Sequence, residues 1–179
     1  MEQSDDTPFN RGKLMNIGYT ETLTLGSPNH CFIFHDVDLL PQSDQNIYAC
    51  THQPRHMYSA LDTFRYHLPY RRLFGGAIAM QKIHFEKVNG FSNIFAGWGG
   101  EDDDLYNRLE EKGLEIIRFS PTVASYVMMP HHTAVPSPNR WEHLADSLIQ
   151  LRKDGLSNVK YIVNNHELRS LYTYYDVSM

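Results

Sequence analysis

The amino-acid sequence has no excess of positive charge and no long hydrophobic run. Its 16 lysines and arginines are outnumbered by 21 aspartates and glutamates, which leaves a formal net charge of −5. Proteins that bind nucleic acid gather basic residues into a patch or stripe, and here they are scattered, so we expect no nucleic-acid partner. No apolar run approaches the roughly 20 residues of a membrane span, and we expect no targeting signal within the chain as written.

Cysteine is scarce, and extremes of composition are absent. The pattern of the two cysteines, Cys31 and Cys50, allows either a reduced thiol pair or one disulfide. Hydrophobic residues make up 41% and charged residues 21% of the chain, which excludes the disordered, fibrous and membrane-spanning classes. No repeat or low-complexity linker divides the 179 residues, so we expect a single domain with one site.

Hydrophobic patterning predicts an α/β fold of short alternating strands and helices. A continuous apolar run over residues 31–34 predicts a buried strand, and residues 77–80 predict another. A short helix over residues 83–88 ends at Asn89-Gly90, and a longer one follows Gly100, with Gly113 just past its end. The other predicted elements are strands at 114–119, 122–128, 159–163 and 171–177 and a helical stripe of Trp141, Leu144, Leu148 and Leu151 that closes at Gly155.

Asp36-Val37-Asp38 follows the first predicted strand. Two carboxylates two residues apart at a strand end can approach one hard cation, with water or phosphate oxygens completing its shell. The same pattern also fits a pair of solvated loop carboxylates. A solvated loop does not require a buried strand before it, so both a loop and a metal or nucleotide-sugar site stay open at this position.

A second acidic cluster, Glu101-Asp102-Asp103-Asp104, opens the longer helix after the turn Gly97-Trp98-Gly99-Gly100. Helix capping needs one or two acidic residues, and this cluster has more. Mutual repulsion should raise the pKa of at least one carboxyl group toward the neutral range that suits a general base. We interpret Trp98 as a mobile indole on a glycine hinge, with an ordinary buried indole as the alternative.

Met128, His131 and His132 follow an apolar run. His131 could join Asp38 on a metal, although a single histidine in such a place is more often structural. An acidic, metal-binding site with a mobile aromatic residue suits both sugar transfer and metal-assisted phosphoester hydrolysis. The residues alone leave both reactions open.

Several motifs occur together in one order: Phe9-Asn10-Arg11, Phe34-His35-Asp36-Val37-Asp38-Leu39-Leu40-Pro41, Phe74-Gly75-Gly76, Asn89-Gly90-Phe91, and Gly97-Trp98-Gly99-Gly100-Glu101-Asp102-Asp103-Asp104 followed by Asn107-Arg108-Leu109. Over nearly the whole chain they closely resemble the β-1,4-galactosyltransferase family. The resemblance favours sugar transfer over phosphoester hydrolysis. It implies a GT-A type nucleotide-sugar glycosyltransferase fold and inverting, Mn²⁺-dependent transfer from a UDP-sugar to the 4-hydroxyl of a terminal N-acetylglucosamine.

The resemblance also implies roles for individual residues. It implies metal ligands at Asp38, Met128 and His131 and a general base at Asp102. The implied donor-binding residues are Phe9, Arg11, Asp36, Val37, Leu73 and Trp98. The implied acceptor-binding residues are Glu101, Asp103, Arg140, Trp141 and Leu144.

Leu73 bears on the choice of donor. In the galactose-transferring branch of the family this position is a tyrosine, and branches with a smaller aliphatic residue resemble N-acetylgalactosaminyltransferases. The resemblance therefore implies UDP-GalNAc as the donor, with UDP-Gal as the alternative. Without it, Leu73 would be interpreted as a core leucine beside a glycine turn.

The chain begins just before Phe9-Asn10-Arg11, whereas family members have a further strand and helix region upstream, a stem and a membrane anchor. We therefore expect residues 1–179 to be the C-terminal part of an N-terminally truncated catalytic domain, with an anchor only in a full-length form. The resemblance implies a disulfide between Cys31 and Cys50 and the oxidising Golgi lumen. A truncated, non-catalytic sugar-binding homologue is the alternative to an active enzyme.

Overall fold

The computed structural model describes residues 1–26, 30–132 and 134–179. Its strands and helices in chain order are β1 (Glu2–Gln3), α1 (Arg11–Thr24), β2 (Cys31–His35), β3 (Leu39–Pro41), β4 (Arg55–His56), β5 (Ala60–Leu61), β6 (Ala77–Gln81), α2 (Lys82–Lys87), α3 (Glu101–Glu111), β7 (Ser125–Met128), α4 (Arg140–Gln150), β8 (Ile162–Leu168) and β9 (Thr173–Ser178). Single 3₁₀ turns cover Asp62–Phe64 and Leu156–Asn158. The α/β class is the one that the sequence predicts.

Strands β2, β6 and β4 form an antiparallel sheet in that order. β2 and β6 pair over their whole length, from Cys31 opposite Gln81 to His35 opposite Ala77. Phe32 and Phe34 are buried in a core beneath this sheet, because alternate side chains of a strand point to the same face. The strands predicted at 31–34 and 77–80 are confirmed, and each extends one residue further.

Helix α1 is absent from the sequence-based prediction. It begins where the Asn10 side chain accepts a hydrogen bond from the Lys13 N–H group at 2.8 Å. Its glycines and threonines have low intrinsic helix propensity, which hides the helix in the sequence. Tertiary packing stabilises it instead, since Leu14 and Ile17 pack into a small core with Val177 of β9.

The second sheet contains β3, β7 and β5, with β7 in the middle. β7 starts at Ser125 and not at 122, because the N–H groups of Val123 and Ala124 both donate to the Ser120 carbonyl in a turn. Leu39 lies opposite Met128 in this sheet. The pairing brings the Asp36-Val37-Asp38 segment next to the stretch that follows Met128.

The strand predicted over residues 114–119 is wrong. Only Ile117 takes part in sheet-like pairing, as an isolated bridge to Arg55. The Ile117 N–H group donates to the Pro54 carbonyl, and its carbonyl accepts from the His56 N–H group. Because β4 is only two residues long, it offers no further backbone partners, and the apolar run stays irregular.

Helices α2 and α3 occur where the sequence predicts them, whereas α4 is less buried than its apolar stripe predicts. The helix predicted over residues 83–88 is α2, and α3 buries Leu105 and Leu109 and ends before Gly113. The stripe of Trp141, Leu144, Leu148 and Leu151, in contrast, is only partly a core face: Leu151 is 4% exposed, whereas Trp141 is 64% and Leu148 49% exposed. The part of the stripe that carries Trp141 and Leu148 is therefore open to solvent.

Strands β1, β9 and β8 form a third sheet. The predicted strand at 171–177 is β9, whereas the one predicted at 159–163 starts only at Ile162 and runs on to Leu168. Cys31 and Cys50 are joined in a disulfide with Cα atoms 5.6 Å apart. Within the described ranges, no helix combines the length and apolar character needed to cross a bilayer.

Candidate active site

A cavity of about 1590 Å³ opens at the end of β2. It is bordered by the turn after β2, the loop before β6, the first turn of α3 and the start of α4. All the residues with predicted donor, acceptor, metal or base roles line it: Phe9, Arg11, Asp36, Val37, Asp38, Leu73, Trp98, Glu101, Asp102, Asp103, Met128, His131, Arg140, Trp141 and Leu144. Residues more than 130 positions apart in the chain thus share one cavity wall.

The Asp36-Val37-Asp38 turn is held by backbone hydrogen bonds. The Asp36 N–H group donates to the Gly76 carbonyl at 2.9 Å, and the Leu39 N–H group donates to the Asp36 carbonyl at 3.3 Å. Val37 at the tip is 90% exposed. Val37 also lines the cavity, so this apolar side chain is available to a ligand and contributes nothing to the core.

Asp38 and His131 meet at the edge of the cavity. The Asp38 Oδ2 atom lies 3.4 Å from the His131 Nε2 atom, and the Met129 N–H group donates to the Asp38 carbonyl at 2.7 Å. The neighbouring Met128 also faces the cavity. A carboxylate and an imidazole meet here, and Met128 adds a thioether to the same cavity, a donor set that a divalent first-row metal accepts.

This donor set leaves part of a metal shell open. Across residues 1–26, 30–132 and 134–179, no group of three or more His, Cys, Asp or Glu side chains could hold a metal ion by itself. A cation beside Asp38 and His131 would complete its coordination with oxygens of a ligand in the cavity. The residues therefore fit a metal whose remaining positions are filled by water or by ligand oxygens.

Arg11 supplies fixed positive charge on the cavity wall. Its guanidinium group lies 2.6 Å from Asp36 Oδ1 and 3.6 Å from Glu101 Oε1. Although burial lowers it, these two carboxylates raise the pKa of Arg11, so the guanidinium remains charged. Arg11 thus links the turn after β2 to the first turn of α3.

Three carboxylates of the first turn of α3 face the cavity. Burial, Glu101 and Asp103 raise the pKa of Asp102 to about 7. Burial likewise raises the pKa of Glu101, whose Oε2 atom is buried without a hydrogen-bond partner in the described structure. Asp103 accepts a hydrogen bond from the Tyr70 hydroxyl at 3.0 Å. The cluster has a carboxylate poised to exchange a proton near neutral pH.

The fourth acid of the cluster, Asp104, has a different place. It is fully buried and lies 2.5 Å from the Arg108 Nε atom one turn further along α3. Arg108 also donates to the Asp154 carbonyl at 2.8 Å. Asp104 therefore anchors α3 in the core, and the excess charge at the cavity comes from three carboxylates.

Comparisons with known proteins agree with this geometry. A family model described as the N-terminal region of glycosyl transferase group 7 matches residues 1–51, and one described as the N-terminal domain of galactosyltransferase matches residues 55–132. The chain is 44% identical over 176 residues to β-1,4-galactosyltransferase 1 of Mus musculus and 39% identical over 177 residues to β-1,4-galactosyltransferase 2 of Homo sapiens. The chain belongs to the β-1,4-galactosyltransferase family.

These matches cover 97% of this chain but only 44% and 47% of the two relatives. The chain thus spans about half the length of the curated β-1,4-galactosyltransferases it matches.

Solved structures of the family support the same fold. A mutant of Drosophila β-1,4-galactosyltransferase 7, in complex with manganese, UDP-Gal and xylobiose, matches with a TM-score of 0.80 at 26% identity. The match covers 99% of this chain and 77% of that one. The catalytic domain of the same enzyme in complex with xylobiose matches with a TM-score of 0.76 at 28% identity, over 98% of this chain and 76% of that one. The fold is therefore that of a β-1,4-galactosyltransferase catalytic domain.

Trp98 lines the same cavity. It is 53% exposed and lies between Gly97 and Gly99, whose φ angles are 81° and 97°. The Trp98 carbonyl accepts a hydrogen bond from the Ser137 N–H group at 2.9 Å. The indole is thus not the buried core residue that was the alternative, and it faces the cavity.

Two aromatic residues of the cavity were missed by the sequence analysis. Phe64 and Tyr70 also line the cavity, and both are substantially exposed, at 41% and 42%. They lie in a loop without periodicity, so no pattern marks them before the fold is known. Exposed aromatic rings in a cavity provide flat apolar surfaces on which a ligand ring can stack.

Proposed function

We propose that this protein transfers a sugar from a UDP-sugar to the 4-hydroxyl of a terminal N-acetylglucosamine, with inversion at the anomeric carbon and with Mn²⁺ as its metal. The observation that carries the proposal is Asp102, a carboxyl group whose pKa is raised to about 7 in the cavity that also contains the Asp38 and His131 pair. The family membership supports the same reaction.

Asp102 acts as the general base in this proposal. The acceptor's 4-hydroxyl oxygen attacks the anomeric carbon of the donor, and the bond from that carbon to UDP breaks in the same displacement. UDP leaves with the bonding electron pair, while the hydroxyl proton passes to Asp102. One displacement inverts the anomeric configuration, so no nucleophilic residue is required.

In this proposal the metal site binds the leaving group, UDP. Asp38, His131 and Met128 would hold Mn²⁺, which when bound supplies positive charge to the diphosphate of the departing UDP. The solved relative that contains manganese and UDP-Gal supports this assignment. Phe9, Arg11, Asp36 and Val37 bind the nucleotide and donor sugar, and Trp98 covers the donor and excludes water that would hydrolyse it.

The acceptor end combines carboxylates with an apolar wall. Glu101 and Asp103 accept hydrogen bonds from sugar hydroxyl groups, and Trp141 and Leu144 pack against the acetamide of N-acetylglucosamine. Arg140 lies over the Trp141 ring, with its Cζ atom 4.8 Å from the ring centroid, and fixes the orientation of the indole. The exposed apolar face of α4 thereby gains a ligand that covers it.

Leu73 favours UDP-GalNAc as the donor. The side chain is 8% exposed and borders the cavity. A leucine leaves room for the acetamide at C2 that a tyrosine would fill, a difference of about 1–3 kcal/mol in favour of the larger donor. UDP-Gal is the second candidate, because a solved relative contains UDP-Gal.

The compartment follows from the same assignment. An oxidising lumen stabilises the Cys31–Cys50 disulfide, and the family membership supports the Golgi as that lumen. The proposed substrates, UDP-sugars and glycan ends, are the molecules on which a lumenal transferase acts.

The proposal is tested with a donor panel. The protein is incubated with UDP-GalNAc, UDP-Gal or UDP-GlcNAc and an N-acetylglucosamine acceptor, with Mn²⁺ or with a chelator, and the product linkage is determined by NMR. We expect a β1-4 product that depends on Mn²⁺ and forms fastest from UDP-GalNAc. Binding of the acceptor without any transfer would instead support a non-catalytic sugar-binding homologue.

A metal variant completes this test. Asp38→Asn should weaken Mn²⁺ binding, measured by electron paramagnetic resonance in the presence of UDP, whereas Asp44→Asn on an exposed turn should not. Equal Mn²⁺ affinity in both variants would remove Asp38 from the metal site.

A further inference from the structure

Two residues outside the cavity hold the loop that borders it. The carbonyl groups of Arg71, Leu73 and Gly75 all accept hydrogen bonds from the pair Arg118 and His56. Arg118 Nη2 donates to Arg71 O at 3.1 Å and to Leu73 O at 2.5 Å. His56 Nε2 lies 3.1 Å from Gly75 O. Three alternate carbonyls of the segment 71–75 are thus bound by these two side chains.

The tautomer of His56 follows from its partners. Arg118 Nε lies 2.9 Å from His56 Nδ1, and a guanidinium group can only donate, so Nδ1 is an acceptor. Nε2 must then carry the hydrogen and donate to Gly75 O. Burial and the neighbouring Arg118 lower the pKa of His56 to about 3, so the imidazole stays neutral at physiological pH.

The hydrogen bonds of Arg118 go to the loop and to His56. In the parts of the chain that the structure describes, its guanidinium makes no ion pair within 4.0 Å. Its hydrogen bonds go to two backbone carbonyls and to the imidazole of His56, which is fully buried. A charged side chain whose hydrogen bonds go to two loop carbonyls, and to a histidine that binds a third, points to a need for a fixed loop backbone.

The loop of residues 71–75 contacts both the proposed donor pocket and the proposed base. Leu73 borders the donor space, and the Gly75 backbone packs under the base: a Cβ atom at Gly75 would lie 2.5 Å from Asp102 Oδ2. Side chains tie the loop to the same helix, α3, because Tyr70 donates to Asp103 and Arg72 Nη2 donates to Asn107 Oδ1 at 2.7 Å. A shift of the loop would therefore move the donor wall and the floor beneath Asp102 together.

We propose that His56 and Arg118 are positioning residues that set donor choice by fixing the backbone of residues 71–75. The inference rests on the proposed function, in which Leu73 borders the donor. Neither residue lines the cavity, and neither touches the substrates. They act through Leu73 and through the packing of Gly75 against Asp102.

The test compares two donors in four variants. His56→Phe keeps an aromatic ring but removes both hydrogen bonds, and Arg118→Met keeps a long side chain without its donors. His56→Gln retains one donor and one acceptor, and His166→Phe alters an exposed histidine of β8 as a control. For each, kcat/KM is measured with UDP-GalNAc and with UDP-Gal, and amide hydrogen exchange is followed at residues 71–76.

The donor ratio is kcat/KM with UDP-GalNAc divided by kcat/KM with UDP-Gal. We expect it to fall by about tenfold in His56→Phe and in Arg118→Met, because a misplaced pocket wall loses discrimination of this size. In His56→Gln the ratio should lie within about twofold of that of the unmodified protein, and in His166→Phe it should not change. Partial unfolding lowers the active fraction for both donors equally, so a changed ratio reports positioning and not stability. Exchange at 71–76 should rise while that of α1 stays constant.

An unchanged donor ratio in folded variants would overturn the proposal, whether or not exchange at 71–76 changes. If His56→Phe does not fold, Arg118→Lys tests the same contacts with a smaller change. If the unmodified protein transfers no sugar, the proposed function fails. Hydrogen exchange then decides whether His56 and Arg118 fix the loop, and unaltered exchange would reject that role as well.

Discussion

Asp102 is surrounded by charge of its own sign. Glu101 and Asp103 are its chain neighbours, and all three carboxylates face the cavity from the first turn of α3. Arg11 lowers the pKa of Asp102, but burial and the two neighbouring carboxylates outweigh it. The folded protein therefore pays in stability for a base that works near neutral pH.

The first prediction concerns the stability of Asp102→Asn. The pKa of Asp102 is raised from 3.8 to about 7 in the folded state, so the folded state binds more protons than the unfolded state between these values. Its contribution to the free energy of unfolding then falls as pH rises through this window. The amide has no charge to bury, so the variant should be more stable by about 0.5–2 kcal/mol at pH 8 and should gain less at pH 5. Urea unfolding at both pH values measures this.

Asp146→Asn, on the exposed side of α4, serves as the control for that measurement. If Asp102→Asn is no more stable than the unmodified protein at pH 8, the repulsion described here is absent.

The second prediction is the pH dependence of transfer. A general base must be deprotonated, so kcat/KM should rise with pH through an apparent pKa near 7, the value to which Asp102 is raised. Because Glu101 and Asp103 interact with Asp102, the apparent value belongs to the cluster. Initial rates between pH 5.5 and 8.5 at constant free Mn²⁺ provide the measurement. A flat profile over that range would contradict the assignment of the base.

The third prediction concerns Leu73→Tyr. A phenol at this position fills the space beside the donor's C2 substituent, so transfer from UDP-GalNAc should fall relative to UDP-Gal by about 10-fold to 200-fold. Leu68→Tyr, in the same loop but outside the cavity lining, is a control for the added bulk. Competition between the two donors in one reaction measures the ratio. No shift toward galactose would leave the transferase assignment standing but would reject Leu73 as its determinant.

At the scale of elements, continuous apolar runs predicted β2 and β6, and the turn glycines predicted where α2 and α3 end. These signals are local. A buried strand needs consecutive apolar side chains, and the left-handed backbone conformation at a helix end favours glycine. Helix α1 escaped prediction because packing against β9 and not propensity stabilises it. The strand predicted at 114–119 failed because the length of a strand depends on its partner, and β4 is short.

Most residues of the candidate site could be predicted because they belong to local motifs. The prediction was incomplete because other residues of the site are placed only by tertiary contacts. The acidic and glycine-rich motifs that resemble the family lie on turns, and the structure brings them to one cavity. Asp104 could not be told from its three neighbours by sequence, because only the position of Arg108 and Asp154 shows that it faces the core. The roles proposed for four other residues depend on tertiary contacts, and no sequence pattern marks them: Phe64, Tyr70, His56 and Arg118.

The fourth prediction concerns the disulfide at the start of β2. Cys31 and Cys50 close a loop of sequence separation 19, which restricts the unfolded chain by roughly 3 kcal/mol in the loop-entropy account. The double variant Cys31→Ser, Cys50→Ser should lose about that free energy of unfolding in denaturant titrations. Thiol labelling of the unreduced, secreted protein should find neither cysteine free. Two reactive thiols would contradict the pairing.

At the scale of the whole molecule, the cavity depends on segments from both ends of the chain. Arg11 comes from α1, Asp36 and Asp38 follow β2, and Arg140 begins α4. The sheet of β3 and β7 holds the proposed metal ligands together, while the core of α3 fixes the base. The positions of the proposed metal ligands, base and acceptor residues are therefore coupled through packing. A substitution that keeps the shape of a side chain leaves this packing intact and can test the role of one residue alone.

Transfer by Asp102→Asn tests the central claim most directly. The amide keeps the shape of the carboxylate but cannot take the hydroxyl proton, so transfer to N-acetylglucosamine should fall by about 10²–10⁴-fold. Binding of Mn²⁺ and UDP, measured by calorimetry on the same samples, should equal that of the unmodified protein. A variant that retains near-normal transfer would contradict Asp102 as the base, and one that loses UDP binding along with transfer would assign it to ligand binding instead.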